Sequence, residues 1–109
     1  MEVTYLNKRL KKLCDQSQEA QKKLGANCAR KLRSRLADLK AAESVTGLVA
    51  GKPHPLKGDR LGQYAVRLDG GVRLVFEPAN EPIPQKEDGG INWLEVTAVC
   101  IVFIGDYHD

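Results

Sequence analysis

The stretch GQYAVRLDGGVRLVFEP, residues 62–78, decides the fold of this chain. Apolar and polar residues alternate in both halves, and Asp69-Gly70-Gly71 separates the halves with residues typical of tight turns. The pattern predicts a β-hairpin with strands near residues 63–68 and 72–77. The rest of the chain has to pack on this hairpin.

The length of the turn decides which side chains share a face of the hairpin. A two-residue turn, whether Asp69-Gly70 or Gly70-Gly71, sets residues of opposite parity across from each other. One face then carries Ala65, Arg67, Val72, Leu74 and Phe76, and the other carries Tyr64, Val66, Leu68, Arg73, Val75 and Glu77. The first set is the better floor for packing helices, so Arg73 and Tyr64 are predicted to face away from them.

The residues before the hairpin predict two basic amphipathic helices. Apolar side chains recur every three or four positions from residue 5 to about residue 23, and Gly25 ends the pattern. A second apolar stripe starts near Asn27, runs through Leu32, Leu36 and Leu39, and fades at residues 41–44. The two segments are expected to form an antiparallel helix pair.

The residues after the hairpin predict a long loop and a closing strand. Prolines and glycines punctuate residues 78–90, which read as a structural excursion, with an active-site lid as the alternative. Residues 95–104 are apolar at alternate positions of both parities, as in a strand in the middle of a sheet. Helices followed by an antiparallel sheet predict a single α+β domain over residues 1–109.

Composition narrows the class of protein. The chain has 109 residues, of which 42% are hydrophobic, with no leader and no apolar run of about 20 residues, so a soluble cytoplasmic protein without membrane association is expected. Its three cysteines are predicted to be reduced core thiols. The net charge of +3 combines +7 in residues 1–40 with −4 in the remainder. The basic part suits a polyanion such as RNA and equally suits a solvated helix surface.

Two histidines are the main candidates for chemistry. His54 opens HPLKGDR, where flanking prolines stiffen the backbone and Lys57 and Arg60 supply cations that are predicted to bind RNA phosphate. His108 belongs to the terminal Asp106-Tyr107-His108, directly after the apolar strand. A metal site built from these histidines and nearby aspartates lacks a known ligand spacing, and no glycine fingerprint for a nucleotide cofactor is present, so neither metal nor cofactor is expected.

The pair of histidines fits RNA cleavage by attack of the 2′-hydroxyl on the adjacent phosphate. Imidazoles, whose ordinary pKa is about 6.5, can divide the roles of base and acid at neutral pH. Arg73 and Lys57 could stabilise the charged phosphorane, and Tyr107 and Tyr64 could stack on a base or donate to the phosphate. Asp106 could set the tautomer of a neighbouring histidine.

Four segments, taken in order, resemble a known family. They are HPLKGDRLGQYAVRL (54–68), VRLVFEPANEPIPQKEDGGINW (72–93), VTAV (96–99) and the terminal DYH (106–108). With two basic helices before them, they resemble the HigB group of toxins in the RelE/ParE superfamily, and the resemblance covers essentially the whole chain. Relatives commonly carry a charged residue at the position of Gly105 and often a basic one near Cys100, and this chain has neither.

The resemblance implies a type II toxin–antitoxin toxin that cleaves mRNA on the ribosome and is neutralised by a HigA-type helix-turn-helix antitoxin. It implies helices on one side of a curved antiparallel sheet and an active site on the other side. The basic helices would contact ribosomal RNA. The resemblance implies that the family's functional positions correspond in this chain to His54, Lys57, Arg73, Asp106, Tyr107 and His108. Two alternatives stay open, since the superfamily includes gyrase inhibitors and a degenerate toxin could retain antitoxin binding alone.

Overall fold

The computed structural model describes residues 1–107 as helices packed on one face of a five-stranded mixed sheet, with the strand order β1-β5-β4-β3-β2. The strands are β1 (Glu2–Tyr5), β2 (His54–Pro55), β3 (Tyr64–Arg67), β4 (Val72–Pro78) and β5 (Ala98–Asp106). The predicted α+β class is confirmed. The sheet is not purely antiparallel, because β1 pairs in parallel with β5.

The N-terminal strand is an element that the sequence pattern did not reveal. Four residues with one alternation are too short a signal to separate a strand from the start of the following helix. The α-amino group of Met1 donates to the carbonyl oxygens of Leu39, Lys40 and Ala42 at 3.0, 2.9 and 2.6 Å. These bonds hold the start of β1 at the end of the longest helix.

Three helices replace the predicted two: α1 (Lys8–Asp15), α2 (Ser17–Leu24) and α3 (Ala26–Ala41). The prediction of one continuous helix from residue 5 to residue 23 is wrong, because α1 begins only at Lys8 and ends at Asp15. Asn7 caps α1 by accepting a hydrogen bond from the Leu10 N–H at 2.9 Å. Gln16 is extended, with φ −118° and ψ 106°, and separates α1 from α2. The apolar stripe already weakens there, which is the trace of this break in the sequence.

The hairpin is present, but its register differs from the predicted one. Leu68 donates its N–H to the Val72 carbonyl at 2.9 Å, so the turn contains three residues, and Gly70 adopts a φ of 58° that favours glycine. Opposite residues therefore have the same parity, as in the pairs Ala65–Val75 and Arg67–Arg73. The prediction of which residues of the two strands lie on the same face is therefore wrong.

The corrected register changes which hairpin residues meet the helices. The helix-facing set consists of Tyr64, Val66, Leu68, Val72, Leu74 and Phe76, all of which belong to or pack on the main core. The opposite set contains Ala65, Arg67, Arg73 and Val75. Arg73 thus faces away from the helices as expected, whereas the expected orientations of Tyr64 and Arg67 are exchanged. We call the sheet face away from the helices the open face.

A bulge in β5 supplies apolar side chains to both faces of the sheet. The pairing of β4 with β5 shifts register between Val75 and Phe76, leaving one extra residue on β5. Ile101 and Ile104 consequently both pack in the main core, while Val102 and Phe103 pack against a smaller cluster. That smaller cluster lies on the open face and is formed by Leu56, Ala65 and Val75.

Residues 78–92 form a loop fastened to the start of β5. The Asn80 side-chain oxygen accepts from the N–H groups of Thr97 and Ala98 at 3.1 Å each, and Gln85 pairs with Ile91 as an isolated bridge. The cavity described below has no lining residue from this loop. The interpretation of residues 78–90 as a structural excursion stays a prediction.

The three cysteines are free thiols. Burial raises the pKa of the Cys14 thiol to about 12, with Asp15 adding to the effect, so its reactive thiolate is scarce at neutral pH. Within residues 1–107, the structure has no helix long and apolar enough to cross a bilayer.

Candidate active site on the open face of the sheet

One row of side chains crosses the open face over four strands. His54 lies opposite Ala65, Ala65 opposite Val75, and Val75 opposite Phe103. Ala65 and Val75 are fully buried, and Leu56 and Phe103 pack on them. The row therefore has an apolar centre, with the imidazole of His54 on the edge strand at one end.

A cavity of about 970 Å³ opens beside this row. It is lined by residues 54–60 together with Gln63 and Tyr107. Its volume lies at the upper end of the range of about 300–1,000 Å³ typical of small-molecule sites. The cavity is large enough for a nucleotide, and three of its lining residues, His54, Lys57 and Arg60, carry nitrogen donors suited to phosphate.

His54 has one ring nitrogen with a fixed partner. Its Nδ1 lies 2.8 Å from the Lys52 carbonyl oxygen, which can only accept a hydrogen bond. Nδ1 therefore carries the proton in the neutral ring, and Nε2 holds the free lone pair. The half-buried ring is thus held in the tautomer that a general base requires at Nε2.

Arg60 stacks on two aromatic rings at the end of β5. Its Cζ lies 4.4 Å from the centre of the Phe103 ring and 4.9 Å from the centre of the Tyr107 ring. Its Nη1 donates to the side-chain oxygen of Gln63 at 3.1 Å. The two rings meet edge to face, with centres 6.1 Å apart. The cation predicted to contact phosphate is thus engaged with protein groups.

Two arginines stand directly opposite each other in the next row of the open face. Arg67 pairs with Arg73, and Arg73 pairs in turn with Gly105. Like charges in such cross-strand positions repel. Neither arginine has a carboxylate within ion-pair distance in residues 1–107, and Arg73 donates only to the carbonyls of Gly70 and Val72 at 3.3 and 3.4 Å. This arrangement suits an anion such as a phosphate.

Arg67 is the site residue that sequence reasoning missed. The assumption of a two-residue turn placed it on the helix-facing side, away from Arg73. The signal that could have found it is the tripeptide Asp69-Gly70-Gly71, which is also compatible with a three-residue turn.

The loop between β2 and β3 brings one further cation to the cavity. Lys57 is exposed and lines it, as does the acidic Asp59, and Gly58 between them has a φ of 61°. Within residues 1–107, no ion pair engages either Lys57 or Asp59. The loop therefore offers one charge of each sign to a bound molecule.

Two predicted site residues lie elsewhere. Tyr64 packs in the main core, with ring centres 5.7 Å from Phe76 and 4.8 Å from Trp93, and burial raises the pKa of its phenol. The Asp106 carboxylate lies against Gly71 at the hairpin turn and does not line the cavity. The described residues end at Tyr107, so the prediction for His108 lies outside them.

The position of Tyr64 yields a prediction that separates packing from chemistry. Tyr64→Phe should leave the activity of the protein unchanged, since the phenol does not reach the cavity. Tyr64→Ala should lower the free energy of unfolding, because each aromatic pair contributes about 0.5–1.5 kcal/mol beyond area burial. Chemical denaturation and an activity assay on both variants check this. A loss of activity in Tyr64→Phe at unchanged stability would return Tyr64 to the site.

The described residues show no grouping of metal-ligating side chains. No three His, Cys, Asp or Glu side chains within residues 1–107 converge as a metal site would require. In the cavity and the adjoining row of arginines, the groups that can take part in chemistry are an imidazole, a phenol, three guanidinium groups, an ammonium group and the Asp59 carboxylate.

Comparisons with known proteins bear on the fold. No protein-family model and no curated protein matches the sequence. Among solved structures, a YoeB/ParE toxin from Agrobacterium tumefaciens matches with a TM-score of 0.60 and 16% identity, over 99% of this chain and 100% of that chain. The YoeB–YefM complex from Staphylococcus aureus matches with a TM-score of 0.60 and 16% identity, over 100% of this chain and 98% of that chain. From end to end, the chain therefore has the fold of the YoeB/ParE toxins.

Proposed function

We propose that this chain is the toxin of a type II toxin–antitoxin system of the HigB group and cleaves mRNA on the ribosome. The observation that carries the proposal is the open face itself. There, His54 with a fixed tautomer stands one row from Arg67 and Arg73, which have no ion-pair partner within residues 1–107, in a fold shared with YoeB/ParE toxins.

The proposed reaction is attack of the RNA 2′-hydroxyl on the neighbouring phosphorus. His54 Nε2 accepts the proton of the 2′-hydroxyl, the new oxygen–phosphorus bond forms, and the bond to the 5′-oxygen breaks. His108 donates the proton that the leaving 5′-oxygen requires. The products are a 2′,3′-cyclic phosphate and a 5′-hydroxyl end. Each proton transfer of this kind typically contributes about 10²- to 10⁴-fold to the rate.

The cations of the open face stabilise the phosphorane that forms between these proton transfers. Arg73 and Arg67 project from adjacent strands with no carboxylate partner in residues 1–107, so their donors are available to the extra negative charge. Lys57 contributes from the cavity rim, and Tyr107 from its wall. The Lys52 carbonyl already sets the tautomer of His54, so Asp106 is left as a proposed partner of His108 alone.

Binding to the ribosome is proposed for the basic helices. Their exposed cations without an ion-pair partner in residues 1–107 are Lys8, Arg9, Lys22, Lys23, Arg30, Arg33 and Lys40. Such a surface attracts RNA phosphates in a salt-dependent manner. A HigA-type antitoxin is the proposed protein partner. Two of the matched Staphylococcus aureus structures contain YoeB with YefM.

Mapping of RNA ends after brief induction tests the function. The wild-type chain should produce cuts within translated regions that carry 5′-hydroxyl ends, and a His54→Asn chain at equal level should not. DNA damage without such cuts would support a gyrase inhibitor instead. Growth unaffected by either chain, with the antitoxin still bound, would identify a degenerate toxin.

The pH dependence of cleavage tests the pairing of two imidazoles. A base and an acid acting together predict a bell-shaped profile of the single-turnover rate constant between about pH 5 and pH 9. His108→Ala should remove the limb on the basic side, where loss of the acid's proton limits the rate. A rate constant that does not fall on either side of this pH range in the wild-type chain would assign catalysis to charge and positioning by Lys57, Arg73 and Tyr107.

A further inference from the structure

The geometry points to Arg60 as a positioning residue that clamps Tyr107 onto the open face, a role that differs from the phosphate contact assigned to it by sequence. The inference rests on the proposed function only for its effect on cleavage. The clamp itself is a property of the described residues and can be measured without RNA.

The guanidinium group of Arg60 contacts two aromatic rings and donates one hydrogen bond. The Phe103 and Tyr107 rings lie 4.4 and 4.9 Å from its Cζ, and the Gln63 side chain takes a hydrogen bond from its Nη1. A planar guanidinium stacks on aromatic faces better than an ammonium group does. Lys57, three residues earlier in the same loop, is exposed and has no ion-pair partner in residues 1–107, so it is the better phosphate ligand of the two.

The clamp joins two parts of the cavity wall that the backbone does not connect directly. Arg60 belongs to the loop between β2 and β3, while Phe103 and Tyr107 belong to β5 and the residues after it. Phe103 and Tyr107 both pack against the buried cluster that contains Leu56 and Val75. Arg60 lies over both rings and so adds a contact from the loop that holds them together at this cluster.

Gly105 makes room for this arrangement. A Cβ atom at position 105 would lie 2.9 Å from Cζ of Phe103, closer than real Cβ contacts, so the Phe103 ring occupies the space that a side chain would fill. Tyr107 follows the same strand end and lines the cavity. A loose Tyr107 would thus loosen this part of the cavity wall.

Nuclear magnetic resonance of the free protein tests the clamp directly. The side-chain protons of Arg60 should show upfield shifts from the two rings, and the Tyr107 amide should have the heteronuclear NOE of an ordered backbone. Arg60→Lys and Phe103→Leu should each lower the Tyr107 NOE, whereas Arg30→Gln on the exposed face of α3 should not. An unchanged Tyr107 NOE in both variants would overturn the clamp, whether or not the protein cleaves RNA.

Single-turnover cleavage then separates a positioning residue from a phosphate ligand. Arg60→Lys keeps the charge and loses the planar stack, so it should lower the rate constant roughly ten-fold with little change in the RNA concentration giving half-saturation. The Arg60→Lys/Phe103→Leu double variant should be no slower than either single variant, because both act through one clamp. Full activity in Arg60→Lys, with Arg60→Gln weakening RNA binding, would show a phosphate contact. If wild-type protein fails to cleave RNA while the NOE results hold, the proposed function fails and the clamp stands.

Discussion

His54→Asn should lower the single-turnover rate constant of RNA cleavage by about 10²- to 10⁴-fold while the fold stays intact. Asparagine keeps a nitrogen donor near the position of Nδ1, so the hydrogen bond to the Lys52 carbonyl can persist. It has no basic nitrogen at the position of Nε2. The variant therefore removes the proposed base and preserves the local attachment of β2.

The control for His54→Asn is the unfolding transition of the same sample. His54 is half-buried on a two-residue edge strand, outside both hydrophobic clusters, so its free energy of unfolding should stay close to that of the wild-type chain. Retention of the wild-type rate by folded His54→Asn protein would remove His54 from the mechanism.

Arg73→Gln and Arg67→Gln should each slow cleavage by about 10²- to 10³-fold, as expected for loss of one group that stabilises transition-state charge. Both changes should also raise the free energy of unfolding slightly, by roughly 0.2–1 kcal/mol, because they relieve repulsion between opposite like charges. Lower activity with higher stability is a signature that general damage to the fold cannot produce. Denaturant titration and single-turnover cleavage measure the two effects.

Arg30→Gln is the matched control for these charge changes. Arg30 is exposed on α3 and, within residues 1–107, its side chain bonds only to the Asn27 side chain at 3.0 Å, so its loss alters the net charge equally. With ribosomes at saturating concentration, Arg30→Gln should retain the wild-type single-turnover rate constant, because Arg30 is proposed to bind the ribosome and takes no part in the reaction. If Arg67→Gln behaves like Arg30→Gln, the phosphate is bound by Arg73 without its neighbour. If Arg73→Gln does so as well, the open face is not the site of cleavage.

The sequence predicted the class of fold because its periodic segments are long. The stripe through Leu32, Leu36 and Leu39 became α3, and the alternation on both sides of the turn became β3 and β4. Elements and breaks that involve four residues or fewer were not predicted. The strand β1, the edge strand with His54 and the break at Gln16 all depend on contacts or hydrogen bonds formed in the folded chain.

The roles of the candidate site residues stay predictions, but their positions in the fold can be compared with the sequence. Arg73 faces away from the helices, as expected, and His54, Lys57 and Arg60 line one cavity. One additional residue in the hairpin turn exchanged Tyr64 and Arg67 between the two faces. A shift of one position in a strand reverses every side chain, which is why Tyr64 was named as a candidate and Arg67 was not.

The absence of a side chain at Gly105 determines how the neighbouring side chains pack at this end of the sheet. The Phe103 ring fills the volume above position 105, so a side chain at position 105 requires the ring to move. Gly105→Arg would therefore add a cation beside Arg73 and at the same time displace the surface on which Arg60 rests. Variation at position 105 in this fold should accordingly be accompanied by variation at positions 60 and 103, and the three positions should be exchanged together when such sites are redesigned.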